Sequence, residues 1–275
     1  MNKVRIAHNP TFQSQTGAEE LSTMLQGHNV DSSLISTSYP NTEILLSENE
    51  VDIVIVPLEE FPVVYDKESI TIAGLSERKF PGYSLLIKED SVDKVADFRL
   101  KNGSKILANN SLVADQLTSI NPTLHVIQSG TGHIDSSQQF IDCEADAMIV
   151  SQLDGIEIIK EYSYFHLVHL HPREIIPQAG SGVIAWITHS ENIELKRLLN
   201  KIHNKETALV TNIERTALKL SSEQGINDIC AYCYTDLKHF YHLIIAMKTQ
   251  ELVKQTFSQS TSANLAQLAI KTLTI

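Results

Sequence analysis

The chain has 275 residues, 42% of them hydrophobic and 20% charged, which is the composition of a globular chain and excludes disordered, collagenous and coiled-coil classes. Acidic residues outnumber basic ones 33 to 22, for a formal net charge of -11, so the mean field repels polyanions and nucleic acid is not an expected partner. The longest apolar runs, at 51–56 and 182–187, are strand-length, whereas a membrane span needs roughly 20 apolar residues.

In chain order, residues 3–7 read as a strand, and apolar positions 18, 21, 24 and 25 recur at helical spacing before Gly27, which is placed to end that helix. A strand-like stretch at 30–35 precedes VDIVIV at 51–56, which reads as a buried strand. Pro57 and Pro62 then bracket the loop LEEF, at the strand end where ligands meet the sheet in α/β folds. Further strands are expected at 83–88, 104–108, 123–127 and 145–150, separated by helical or turn segments at 110–119 and 135–143. GSGVIAWIT at 180–188 reads as a strand flexed by glycine, and 193–221 as one long helix or two abutting ones. After Gly225 the pattern is a short hairpin, 229–234 with 239–247, and a last helix at 250–255 or 263–272. The alternation predicts α/β architecture with mixed sheets, and no internal repeat is visible. The opening MNKVRIA enters a strand pattern at once, without the apolar region of a secretory leader. Three cysteines, Cys143, Cys230 and Cys233, make an odd count that argues for reduced thiols. Both features lead to the expectation of a cytoplasmic protein.

Four segments, in order along the chain, resemble hydroxymethylbilane synthase, also called porphobilinogen deaminase. HPREIIPQAGSGVIAWIT at 171–188 is similar to that family's PAxGQGALAIE stretch, and KETALVTNIERTALKLSSEQG at 205–225 to its ETxxxVxAERAFLxxLxGGC helix and turn. VDIVIVPLEEFPVV at 51–64 occupies the place of ADIAVHSMKDVPxx. ILANNSLVADQL at 106–117, with the stretch from Val126 to Ile156, tracks VGTSSLRRxxQL and the family's following RGN-containing segment. The resemblance implies two domains like those of type II periplasmic binding proteins plus a small C-terminal α+β domain. On this alignment domain 1 is 1–88 with 178–199, domain 2 is 89–177, and the C-terminal domain is 200–275.

The family joins four porphobilinogen molecules on a dipyrromethane cofactor held by a cysteine thioether. That chemistry needs a carboxylate to stabilise an azafulvene cation, arginines to pair the acetate and propionate groups, and a thiol to hold the primer. Glu60 falls on the catalytic aspartate's position, one methylene longer, and Glu59 replaces its lysine neighbour; a misplacement of about 1 Å can cost roughly a hundredfold in rate. Against this stands the reading of both as solvated loop acids. The family's paired arginines fall on Leu112, Val113 or Ala114, and others on Asn9, Ser129 and Asp135, none of them basic; Arg5 and Arg78 match family arginines outside the main anion-binding set. Ile226 stands at the expected cofactor cysteine, with Cys230 four residues on as the one displaced substitute.

The resemblance therefore implies a divergent synthase-like protein of tetrapyrrole ancestry that lacks standard porphobilinogen polymerisation and its dipyrromethane. The alternatives are an active synthase rebuilt on Glu60 and Cys230, or a two-lobed small-molecule binding protein. The expected ligand is a small molecule in an interdomain cleft lined by Asn9, Thr11, Glu59, Asn110, Ser111, Ser129 and Gly130, in a monomer with neither nucleic-acid nor membrane partners. Cys230, Cys233, His239 and His242 have zinc-ligand chemistry, but a strand at 229–234 would point the two cysteines to opposite faces. His166, His169 and His171 could bind metal or serve structurally. No metal site is expected. The GSG at 180–182 lacks the pattern of a phosphate loop.

Overall fold

The computed structural model describes residues 3–38, 42–128, 140–141 and 143–274. The chain divides into two compact units, Met1–Lys79 with Gly180–Asn212, and Phe80–Ala179 with Ile213–Ile275.

The first unit is built on a five-stranded sheet of β1 (Val4–His8), β2 (Ser32–Ser36), β3 (Ile53–Pro57), β4 (Ile70–Leu75) and β10 (Ile184–His189), in the order β2-β1-β3-β10-β4. β1 runs parallel to β2 and β3, while β10 lies antiparallel between β3 and β4. Alternation along the strands sorts their side chains to two faces. Ile6, Ile53, Ile55, Ile184 and Trp186 pack with Ala18, Leu21 and Leu25 of α1 (Phe12–Gly27) and with Leu195 and Leu199 of α5 (Ile193–Ile202). Ala7, Val54, Ala185 and Ile187 pack on the other face with Leu46 of α2 (Thr42–Ser47) and with Leu58 and Phe61.

The stretch at 193–221 is two helices. α5 ends at Ile202, and α6 (Lys205–Glu223) begins after Asn204, whose Oδ1 accepts the Thr207 N–H at 2.9 Å as an N-cap.

The second unit holds β5 (Tyr83–Lys88), β6 (Lys105–Ala108), β7 (His125–Gln128), β8 (Ala147–Ser151) and β9 (Phe165–His169), in the order β7-β6-β8-β5-β9. β6 is parallel to β7 and β8, and β5 lies antiparallel between β8 and β9. The two sheets thus share one strand order and one pattern of directions, but the antiparallel inner strand is the last in the chain in the first sheet, β10, and the first in the second, β5. β5 is an interior strand of the second sheet, and the chain passes from the first unit to the second at Lys79/Phe80, before β5. α3 (Ser111–Ile120) and α4 (Gln152–Glu161) cover this sheet.

The C-terminal residues form an antiparallel three-stranded sheet, β11 (Ile229–Thr235), β12 (Tyr241–Lys248) and β13 (Leu252–Gln259), with α7 (Leu265–Leu273) packed on β12 and β13. Of the two places open for a last helix, 263–272 holds it, as α7, while 252–255 of the other is strand, the start of β13. Cys230, Ile244 and Ala246 from this sheet join the core of the second unit beside α3. The buried Glu214 of α6 fixes β11 by accepting the Cys233 N–H at 2.6 Å.

Gly74 faces Trp186 across the β4–β10 ladder, and a Cβ at residue 74 would lie 2.4 Å from the Trp186 ring. Gly74→Ala is expected to destabilise the protein by about 1–3 kcal/mol through overpacking, read as a lower urea midpoint by circular dichroism. His203, at the end of α5, also borders Gly74. Burial, and then the charge of Lys205, hold its imidazole below its ordinary value of 6.5. The unfolded chain therefore takes up the proton first, so this contribution is complete above pH 6.5 and is lost as the pH falls through the lower folded value. His203→Gln is expected to flatten the fall in stability on acidification from pH 6.5, measured as urea midpoints across that range.

Candidate functional site

In open α/β sheets ligands gather at the carboxyl ends of strands beside the switch point. In the first unit that place lies at the ends of β1 and β3, whose neighbours run to opposite sides. β1 delivers Asn9 and Thr11, and β3 delivers Glu59 and Glu60. The His8 Nδ1–H donates to the Asn9 carbonyl at 2.8 Å, and Asn9 Oδ1 accepts the Thr11 N–H at 3.4 Å. Thr11 is the N-cap residue of α1 but gives the first turn no side-chain hydrogen bond. This leaves the partial positive charge of the helix start facing the strand ends.

Leu58 and Phe61 are buried on either side of the two glutamates and anchor a tight turn in which the Glu60 N–H donates to the Pro57 carbonyl at 3.0 Å. Glu60 is exposed, whereas Glu59 is half-buried with Oε2 shielded from solvent. Asn9, Thr11, Glu59 and Glu60 thus share one end of one sheet. Ser14, in the first turn of α1, was not singled out from sequence. Its Oγ is shielded from solvent and has no hydrogen-bond partner among the described residues. The signal available was a small polar residue on the buried stripe of an otherwise amphipathic helix.

The second unit repeats the arrangement at the end of β6, where Asn110 and Ser111 begin α3. Here the cap is made: Asn110 Oδ1 accepts the Val113 N–H at 3.0 Å. Leu112, Val113 and Ala114, where paired arginines would stand, are buried in the core of this unit. Ser129, Gly130 and Asp135 lie outside the described residues.

Two family-matching arginines also occupy defined positions. Arg5 is committed to the fold: its Nη2 and Nε donate to the Asp52 carboxylate at 3.0 and 3.1 Å, and Nη1 donates to the Asn49 carbonyl at 2.6 Å. The Asp52 hydrogen bond raises the guanidinium above its ordinary value. The Arg78 N–H donates to Thr207 Oγ1 at 3.1 Å, and its Nε is shielded from solvent.

Ile226 is half-buried in the turn after α6, held by the Ile226 N–H to the Ser221 carbonyl at 3.0 Å and by Ser221 Oγ to the Ile226 carbonyl at 2.7 Å. Cys230 is 1% exposed and Cys233 0% exposed, on opposite faces of β11. Burial pushes the Lys254 ammonium below its ordinary value, with Cys230 and Glu174 opposing the shift. The third thiol, Cys143, is half-buried, with Sγ donating to the Phe140 carbonyl at 3.4 Å. The Cys–His set at 230–242 does not converge: His242 instead bonds Ser258 Oγ through Nδ1 at 2.7 Å and pairs with Asp236 through Nε2 at 3.3 Å. His169 Nδ1 bonds Ser84 Oγ at 2.8 Å. Among the described residues no group of three or more His, Cys, Asp or Glu could hold a metal ion, and no helix is long and apolar enough to cross a membrane.

No protein-family model matches the chain. Curated porphobilinogen deaminases do align with it. That of Limosilactobacillus reuteri (strain DSM 20016) is 24% identical over 175 residues, 63% of this chain and 55% of its own length. That of Staphylococcus carnosus is 27% identical over 181 residues, 63% and 54% of the two chains. That of Caldicellulosiruptor saccharolyticus is 25% identical over 215 residues, 77% and 70%. The relationship is distant, and the chain spans little more than half the length of the first two relatives. Among solved structures, an ancestral cationic amino acid solute-binding protein has 14% identity and a TM-score of 0.48, over 82% of this chain and 91% of its own. A putative L-cystine ABC transporter protein from Listeria monocytogenes has 13% identity and a TM-score of 0.40, over 81% and 95%.

Loss of the α3 cap in Asn110→Ala is expected to cost about 1 kcal/mol, with Asn110→Asp restoring most of it, both read as urea midpoints.

Proposed function

We propose that this protein descends from the porphobilinogen deaminase lineage, has given up polymerisation of porphobilinogen, and binds a small molecule at its strand-end loops. The distant alignment to curated porphobilinogen deaminases supports the ancestry. The observation that carries the loss of polymerisation is the state of the thiols. A thioether-held dipyrromethane needs a reachable sulfur, yet Ile226 stands at the expected place, and the nearby Cys230 is a core residue paired with Ala246 in the β11–β12 ladder. To carry the cofactor, Cys230 would have to leave that core, opening a cavity and breaking the ladder, so the residues present do not fit the group.

Two further features support the same reading. A growing tetrapyrrole adds two carboxylates per ring, each costly to desolvate without a cationic partner. Leu112, Val113 and Ala114 are in the core and project no cation, and Arg5 already spends its guanidinium on Asp52. Glu60 keeps a carboxylate at the end of β3, but in an exposed turn where water weakens its field on any nascent cation. The ligand that suits the strand-end loops of the first unit carries fewer negative charges than a polypyrrole and is held by neutral donors and acceptors, among them Asn9 and Thr11.

The test is the intact mass of the purified chain before and after incubation with porphobilinogen, with pyrrole consumption followed in the same sample. The expected result is a mass equal to that of the polypeptide and no consumption. A mass excess equal to a dipyrromethane, mapped to Cys230 and accompanied by turnover, overturns the proposal and makes the protein a synthase with a displaced anchor.

A further inference from the structure

The second unit has a recess at the opposite end of its sheet from Asn110 and Ser111. It encloses about 350 Å³ and is lined by Ile87, Val92, Lys94, Arg99, His166, Leu167 and Val168. Ile87 pairs with Ala147 at the start of β8, whereas Asn110 follows the end of the parallel strand β6. The recess is therefore separate from the strand-end loops.

Three of its seven lining residues, Lys94, Arg99 and His166, are basic, in a chain whose net charge is -11. The side chains of Lys94, Arg99 and His166 make no hydrogen bond or ion pair among the described residues. The acids of the same loop do not line the recess: Asp93 Oδ1 turns back to accept the Val95 N–H at 3.1 Å, and Glu89, Asp90 and Asp97 lie outside it. Cations left unneutralised around a concave, partly apolar surface are the arrangement that recognises a small anion.

The loop that carries Lys94 and Arg99 is held shut from several directions. Val92 bridges Leu100, the Asp93 N–H donates to the Arg99 carbonyl at 2.9 Å, the Lys101 N–H to the Ser91 carbonyl at 3.0 Å, and Ser91 Oγ to Asp146 Oδ1 at 2.7 Å. Within it two successive non-glycine residues are left-handed, Phe98 at φ 55° and Arg99 at φ 56°. This conformation is unfavourable for side-chain-bearing residues and persists where surrounding structure over-determines it, often at functional sites. Its effect here is to pack Phe98 against the core while Arg99 lines the recess. The floor of Ile87, Val92 and Val168 is apolar, and the volume lies at the small end of ligand sites, which run from about 300 to 1,000 Å³.

We propose that this recess is a binding site for a small phosphate-bearing metabolite, its phosphate held by Lys94, Arg99 and His166 and its organic part resting on Ile87, Val92 and Val168. The site is independent of what the strand-end loops bind.

The test is a titration of the full chain with inorganic pyrophosphate, followed by amide NMR at constant ionic strength set with sodium chloride, with citrate as the carboxylate arm. The expected result is saturable shifts concentrated on residues 92–100 and 165–168. Arg99→Gln should raise the dissociation constant about tenfold or more, as loss of a charge-assisted hydrogen bond would. Asn110→Ala should leave it unchanged. Because Arg99 sits in a constrained turn, Lys94→Gln on the exposed part of the loop gives a second variant that leaves the fold alone, and it should weaken binding several-fold. Shifts that do not saturate, shifts centred elsewhere, unchanged affinity in both variants, or citrate binding as tightly as pyrophosphate would each overturn the proposal.

Discussion

The first unit depends on one late-arriving strand. β10 enters the middle of a sheet whose other strands lie more than a hundred residues earlier in the chain, and its Trp186 has space only because residue 74 opposite it has no side chain. The same segment is gripped elsewhere. Ile184 approaches Gly17 of α1 so closely that a Cβ there would lie 2.8 Å from it, Ser76 exchanges hydrogen bonds with the Ile184 backbone, and the Leu58 N–H donates to the Val183 carbonyl. Gly180, at φ 86°, lets the chain turn against Leu58, where a side chain would collide at 2.8 Å. The turn bearing Glu59 and Glu60 and the helix beginning after Thr11 therefore take their positions from a strand made last. Long-range pairing of this kind must meet its loop-closure entropy before any contact rewards it.

The two sheets repeat one strand order and one set of directions, yet the sequence shows no repeat, because that arrangement constrains only the placement of apolar alternation and of turns. Where the units differ, the difference is chemical. Asn110 satisfies the start of α3 with its own side chain, whereas Thr11 leaves the start of α1 without such a bond and Ser14 buries a hydroxyl beside it. One unit thus offers unsatisfied polarity at its strand ends, and the other seals the equivalent place and gathers its cations at the far end of the sheet, around Arg99.

Continuous apolar runs were the legible part of the fold. VDIVIV and YSLLIK announced β3 and β5 because both lie inside sheets and bury both faces. β4 was silent, its ITIAGL interrupted by the glycine that Trp186 requires. β13 was ambiguous because an edge strand with alternating polar residues is short enough to pass for a helix turn. The division of 193–221 into two helices rests on the Asn204 cap, a signal present in the sequence but outweighed by the unbroken apolar period. Of the candidate site, the placement of Glu59, Glu60 and Asn110 at strand ends was readable from loop position. The burial of Cys230 agrees with the usual habit of a free cysteine as a small buried hydrophobe, but its source, β12 and α3 covering β11, is not local to residue 230. The left-handed pair Phe98–Arg99 had no sequence signal, for neither residue type favours that conformation.

The placement of Trp186 has an optical consequence. It is the sole tryptophan of the chain, and it is 1% exposed in the core of the first unit. Six of the eight tyrosines, at 83, 162, 164, 232, 234 and 241, belong to the second. Indole emission therefore reports the seating of β10 and little else, while phenol emission is dominated by the other unit. Each half of the molecule carries its own intrinsic chromophore, and the order in which the halves acquire native structure can be followed without a label.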